Sequence, residues 1–513
     1  MTANYYDAII VGADLAPMLC AALLSRRGFR VLLIGHDAPP ADYEVLDVKL
    51  PRAPFTLPNA QSPIIRRVLS DLSIHQELRR RATAVDPALQ VILPKARLDF
   101  AVNQADLERE LEREFPEVRR PIENLYRQLD EAMTAIDHFV DRDLVLPPGG
   151  FFERRAFARA AAGLPFDKNG SGPDPLRHFP EEHPLRVVTR LPSLFGDGIV
   201  GSPSALRFLR HFGGWTRSPA VVDGGLGTLH HLVLQTLATH NGDLALRERG
   251  EKILVKGSQT CGIRLAGSGE EVGSEVVIAG CNVAALTDLL PGRDTLAPVF
   301  ERFGEPQPKL ARRTVNVVIE ADGIPEAMAR DVFLVPRLDR PERADPDDGP
   351  LRIQALSADA AGRRVLCIET LVPWHKAQDP AGVAEQARQR VLDRIATLMP
   401  FVRRHAVLID SPHDGLPPRD LKTGATVKLD TPSGRGPSTM ELLHSYPVLS
   451  GLGLCGLPIR TPLRRLLLCG THNVPGLGFE GAFLAAWSTA RVVEKIDRRR
   501  ARLRKRSWTQ APR

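Results

Sequence analysis

The spacing of hydrophobic positions changes along this chain, and the changes mark its elements. Residues 6–11 (YDAIIV) form a continuous apolar run of the kind buried on both faces of a parallel sheet. A turn at Gly12-Ala13-Asp14 leads into helical spacing over about 15–27, Gly28 stops it, and 30–34 (RVLLI) reads as a second strand. From about 62 to 210 the period is mainly helical. Ile64, Ile65, Val68, Leu69, Leu72 and Ile74 make one stripe, and Leu107, Leu111 and Phe115 another. Residues 162–185 are a Pro/Gly-rich loop.

The second half returns to strand-like periods. A glycine turn (GGLGTL, 224–229) opens a helix to about residue 240, and short strands are predicted at 244–246, 253–255, 262–265 and 275–279. The segments TVNVVIEA, DVFLVP, LRIQALS and RVLCIET between 314 and 370 alternate as an antiparallel sheet does, with a charged loop at 337–350. Val383, Ala387, Val391, Leu392, Ile395 and Leu398 mark an amphipathic helix, and a strand at 466–469 runs through a glycine turn into a last helix over 481–496. This order predicts a nucleotide-binding domain made from separate pieces of chain, with a substrate domain between them.

Four stretches carry a resemblance: YDAIIVGADLAPMLCAALLSRRGFRVLLIG at 6–35, DYEVLDVKLPRAPFTLPNAQSPIIRRVLSDLSI at 42–74, DGGLGTLHHLVLQTLATHNGDLALR at 223–247, and LLLCGTHNVPGLGFEGAFLAAWSTARVV at 466–493. In this order and spacing they resemble the phytoene desaturase and flavin-containing amine oxidase superfamily. The resemblance implies an α/β fold: an FAD/NAD(P)-binding Rossmann-like domain from discontinuous segments, plus a substrate domain with a mixed or antiparallel sheet and helices. Laid on this chain, it gives 1–60, 221–300 and 455–497 to the first domain, 61–220 and 301–454 to the second, and 498–513 to a basic tail. It further implies extended FAD, with the pyrophosphate at the first βα turn, the flavin ring near the C-terminal motif, and hydride passing to flavin from an apolar small-molecule substrate.

The residues themselves depart from that pattern at one end. A dinucleotide turn uses three glycines for a tight turn, close approach of the pyrophosphate and helix–strand packing. Here the six positions read Gly12-Ala13-Asp14-Leu15-Ala16-Pro17, with only the first glycine kept. Asp14 is expected to be the helix N-cap, its carboxylate accepting from the free N–H groups that a pyrophosphate would use. Two unit charges about 4 Å apart at an effective dielectric near 20 repel by roughly 4 kcal/mol, so this carboxylate opposes phosphate. Gly35 stands where an acid usually holds the ribose, leaving Asp37 as the nearest substitute, and Gly250 stands where the family usually has a valine meeting the adenine. The far end is better kept, with Gly470, Pro475, Gly476, Gly478 and Gly481 matching and Thr471 replacing a common aspartate.

The candidate FAD-holding residues are therefore Gly12, Ala13, Asp14, Ala16, Asp37, Gly470, Thr471, Gly478, Phe479 and Ala482. No catalytic acid or base stands out. Two functions are open: an FAD-dependent oxidoreductase, or a non-catalytic relative that has lost FAD and binds a ligand or partner.

Composition narrows the rest. Six cysteines without C-x-x-C or metal-ligand spacing fit a reducing cytoplasm and argue against disulfides or structural zinc. The net charge of +7 is localised: residues 495–513 sum to +8, leaving the first 494 residues at −1. A neutral body without a basic face speaks against nucleic acid. The basic tail, with Trp508, suits a solubilising end or contact with an anionic membrane surface. Without a signal peptide or an 18-residue apolar run, a cytoplasmic protein, at most membrane-peripheral, is expected. No G-x-S-x-G, H-E-x-x-H or P-loop sequence is found, which leaves the serine hydrolase, zincin and P-loop classes without support.

Overall fold

The computed structural model describes residues 5–339, 348–377, 381–429 and 434–497. The predicted opening unit forms as a strand Tyr5–Val11 (β1), a helix Leu15–Arg26 (α1) and a strand Val31–Ile34 (β2). β1 lies parallel to β2 on one side and to Glu271–Ala279 on the other, and Gly242–Ala245 and Leu466–Leu468 extend the parallel sheet at its two flanks. Strands covered on both faces need apolar residues throughout, and Ala8, Ile9, Ile10, Val11, Val31, Leu33 and Ile34 are all fully buried. α1 packs between the helices Gly225–Thr239 and Gly478–Ile496 over one face.

The second sheet has nine strands and draws on 89–100 and 307–445. Its long central strand Gln307–Glu320 pairs antiparallel with Arg363–Pro373, Ala406–Asp410 and Glu441–Ser445. Antiparallel partners share a face, so the register sorts the side chains. Val315, Val317, Ile319, Ile353, Leu366 and Ile368 turn to one side and pack on Val391, Leu392 and Ile395 of the helix Ala381–Leu398. Arg312, Thr314, Asn316, Glu369, Arg352, Gln354 and Asp331 turn to the other.

The helical expectation for 62–210 needs correction. The region is not helical throughout: Ala82–Ala84, Leu89–Ile92 and Arg97–Phe100 are strands, the last two forming a hairpin that joins the second sheet through Asp331–Leu334. These strands are three or four residues long, and their tertiary partners, rather than any local period, fix their state. The apolar stripes are core: Ile64, Ile65, Val68, Leu69 and Leu72 pack among the helices flanking the first sheet, while Leu107 and Leu111 join a separate cluster with Leu125 and Leu129. The basic tail at 498–513 lies outside the described residues.

Candidate functional site

The site is built where β1 hands the chain to α1. Gly12 turns with φ +103°, and a Cβ there would sit 2.8 Å from the Cys281 backbone nitrogen, so this glycine is required by both conformation and space. Pro17, at the third glycine position, packs against Gly280 so closely that a Cβ on Gly280 would lie 2.5 Å from the proline ring. Close helix–strand packing is thus kept by exchanging which partner is small. Ala13 is half-buried at the turn and Ala16 is buried in the core behind it.

Asp14 occupies the N-cap position with extended backbone, but its carboxylate makes no capping hydrogen bond, contrary to expectation. Only its carbonyl serves the helix, accepting from the Met18 N–H at 3.1 Å. The side chain is open to solvent yet has protein packed closely around it. Enclosure first, and then the charge of Glu441, push this carboxyl up to about 6. The cation nearest Glu441 is already committed, because Arg312 donates to Glu441 (2.6 Å) and to the Asp197 carbonyl (3.0 Å). Among the described residues no cation pairs with Asp14.

The ribose end is closed by backbone. A Cβ on Gly35 would lie 1.9 Å from the Leu246 carbonyl oxygen, so no acidic side chain fits at that position. The crossing segment is fastened there: Gly35 N–H donates to Ala245 and His36 N–H to Glu248, and the Gly250 N–H donates to His36 Nδ1 at 3.2 Å. Asp37 does not reach round. It is exposed and paired with Arg249 at 2.8 Å.

At the C-terminal motif the glycines serve packing. Gly478 has φ +49°, and a Cβ on it would meet the Gly196 carbonyl oxygen at 1.9 Å. The Gly198 N–H donates to the Pro475 carbonyl, and His211 Nε2 lies 3.2 Å from that of Gly476. Gly470 is held by Asn473, whose Oδ1 accepts from its N–H at 2.8 Å; Thr471 is exposed. Phe479 is partly buried between Phe55 and Phe483, both at 5.3 Å between ring centres, and Ala482 is buried core. The last helix begins at Gly478, a turn earlier than expected, and its first-turn Glu480 is buried in a fork with Arg210 (2.8 and 2.5 Å), with Ser62 also donating to it. His230 is partly buried and pushed down to about 4 by burial, whereas His231 is exposed.

The structure therefore brings Gly12, Ala13, Asp14 and Ala16 together at one turn, and Gly470, Thr471, Gly478, Phe479 and Ala482 at another, with Asp37 apart from both. It adds residues that sequence reasoning missed. Tyr446 Oη lies 2.9 Å from His472 Nδ1, and the His444 and His472 rings are 4.6 Å apart. Burial pushes His472 down to about 3 and His444 to about 4, so both rings are neutral at physiological pH. His472 was within reach, standing one residue after Thr471. Among the described residues no group of three potential ligands could hold a metal ion.

Comparison with solved structures decides the fold class. An oxidoreductase from Methanosarcina mazei aligns over 94% of this chain and 99% of its own, with a TM-score of 0.58 at 14% identity. A putrescine oxidase variant from work on redesigned cofactor binding aligns over 96% and 100%, with a TM-score of 0.58 at 13% identity. The PF1083 protein of Pyrococcus furiosus aligns over 95% and 97%, with a TM-score of 0.54 at 14% identity. The chain shares its fold with the Methanosarcina mazei oxidoreductase and with putrescine oxidase, a mixed α/β architecture with a Rossmann-like domain. No family model matches the sequence, and no curated protein matches it significantly. Among the described residues no helix is long and apolar enough to cross a membrane.

Residue by residue, the adenosine half of an extended FAD does not fit this chain. Its ribose acid is replaced by a glycine with no room for a side chain, and its pyrophosphate turn faces a carboxylate.

Proposed function

We propose that this chain keeps the architecture of an FAD-dependent oxidoreductase but does not take FAD in the extended form, and that it serves as a ligand-binding protein. One observation carries the reading: Asp14, without a cation partner, stands at the helix N-terminus where a pyrophosphate would need N–H groups and positive potential. The Leu246 carbonyl over Gly35 supports it independently. The surroundings of Asp14, Glu441 and Arg312 are the place we assign to the ligand.

The test is direct. The purified full-length protein should lack the visible bands of oxidised flavin, and added FAD should leave its melting temperature unchanged, since a ligand that binds only the native state must raise stability. A yellow protein, or a melting temperature that climbs with FAD concentration, overturns the proposal.

A second reading, a flavin-dependent oxidoreductase drawing hydride from an apolar substrate, is favoured by the match at Gly470, Pro475, Gly476, Gly478 and Gly481. Gly476, Gly478 and Gly481 have another explanation in the contacts they make with Leu454, Gly196 and Val474, so the first reading is preferred.

A further inference from the structure

The helix Phe151–Ala161 carries two large aromatic residues that nothing covers. Phe151 is 64% exposed and Phe152 80%, the latter the most exposed large hydrophobic side chain among the described residues. Their rings meet edge to face at 5.5 Å. The outward face continues with Arg154, Arg155 and Arg159, all exposed and without an ion-pair partner among the described residues. The inward face is ordinary core, with Phe157 against Phe139 at 5.7 Å and Ala160 buried.

The start of this helix is fixed. Glu153 accepts from the Gly149 and Gly150 N–H groups at 3.0 Å and from both terminal nitrogens of Arg460, and these partners hold its carboxyl down at about 2. Lys495, at the end of the last helix, reaches the same carboxylate at 3.2 Å. The last helix therefore ends beside the phenylalanine pair, and the sequence from Arg498 onward adds eight more basic residues and Trp508. The acids nearby are committed elsewhere: Asp143 to Arg491 and Trp487, Asp141 to Arg67, and Asp167 to backbone N–H groups of its own loop.

We propose that this face, with Phe151 and Phe152 as wedges and Arg154, Arg155 and Arg159 beside them, docks on an anionic lipid membrane, to which the basic sequence from Arg498 onward adds charge. Two features argue for a lipid rather than a protein partner. The exposed aromatic pair stands at the start of a helix beside three exposed arginines, and the sequence from Arg498 onward is strongly basic. Aromatic side chains enter the interfacial zone while arginines stay with the headgroups, and neither signal alone suffices for stable attachment.

Sedimentation of the full chain with vesicles tests this. It should pellet with phosphatidylcholine vesicles containing phosphatidylserine, stay in solution with phosphatidylcholine alone, and be released at about 0.5 M salt, where screening is strong. F151S/F152S should bind the anionic vesicles about tenfold or more weakly with an unchanged melting temperature. A chain ending at Asp497 should lose most of the dependence on phosphatidylserine. Failure of the full chain to pellet overturns the proposal. So does equal binding by F151S/F152S, which would leave the tail acting alone, or a change in oligomeric state by that variant without a change in vesicle binding, which would make the pair a protein contact.

Discussion

Replacing Asp14 with asparagine isolates the charge on which the functional reading depends. In the folded chain this carboxyl sits at about 6, against about 3.9 when unfolded. The folded state therefore holds the proton more tightly. The stability from that proton is fully present below about pH 4 and lost as pH rises through about 6. At full weight a two-unit shift corresponds to about 3 kcal/mol, but solvent reaches this carboxylate, and screening reduces the figure to about 1 kcal/mol. Asp14→Asn should then match the wild type near pH 4 and exceed it by about 1 kcal/mol at pH 7, a rise in melting temperature of roughly 1–2 °C for a chain of this length. Paired urea and thermal unfolding curves at pH 4.5, 6 and 7.5 measure this. A variant less stable than the wild type at pH 7.5, or one whose advantage grows toward low pH, refutes the reasoning, because either result means the carboxylate stabilises the turn. Asp14→Gly should also gain FAD affinity if the carboxylate is the main obstacle, and gain none if the closed ribose end is sufficient by itself.

Other substitutions test the packing around the site. Gly35→Glu places an acid where the resembled superfamily usually has one but drives a side chain into the Leu246 carbonyl, so it should lower stability by several kcal/mol without creating FAD binding in a thermal-shift titration. Gly478→Ala combines positive φ with contact against Gly196, and a loss of about 3 kcal/mol or more is expected in urea unfolding. Glu480→Gln leaves the buried Arg210 without its strongest partner and should cost about 3–5 kcal/mol by the same measurement.

The opening βαβ unit was legible because it is local: an all-apolar strand, a first glycine that must take positive φ, and a glycine stop. The long strand Gln307–Glu320 was legible in part, since its alternating half, TVNVVIE, reads as a strand while its N-terminal half (QPKLARR) carries no clear period. The strand at 82–84 was not legible, because ATA has no pattern of its own and takes its state from a partner at 220–222, while RLDF at 97–100 is too short a run, closed into a hairpin with 89–92, to stand out from the helical region around it. The site divides the same way. That Gly12 stays while the second and third glycines are lost could be read directly. That Leu246 closes the ribose position, 211 residues after Gly35, and that Glu441 looks across at Asp14, depend on tertiary approach that no local signal carries. Asp14 is the instructive middle case. Its residue type fits a cap, its backbone takes the cap position, and its carboxylate still makes no bond to the helix.

On the proposed reading, in which no extended FAD bridges the two parts, the chain's own side chains must join them, and this chain has such contacts. Arg352, on the polar face of the second sheet, donates to the Pro54 carbonyl, to Thr56 and to the fully buried Asp331, and stacks over Trp215 at 4.5 Å. Gln354 on the same face exchanges hydrogen bonds with the Phe55 backbone in both directions at 2.9 Å. These contacts fasten the segment after β2, which leads out of the first sheet, to the second. Arg210 and Glu480 do the same between a helix of the 62–210 region and the last helix. Buried pairs of this kind contribute little net stability over apolar residues, but losing one partner is costly, so they act mainly to fix one arrangement. The two sheets are thus joined by the chain's own polar and charged groups. Asp14 and the Gly35 closure thus sit in a chain whose own side chains join its two sheets, and which folds as the oxidoreductases it aligns with do.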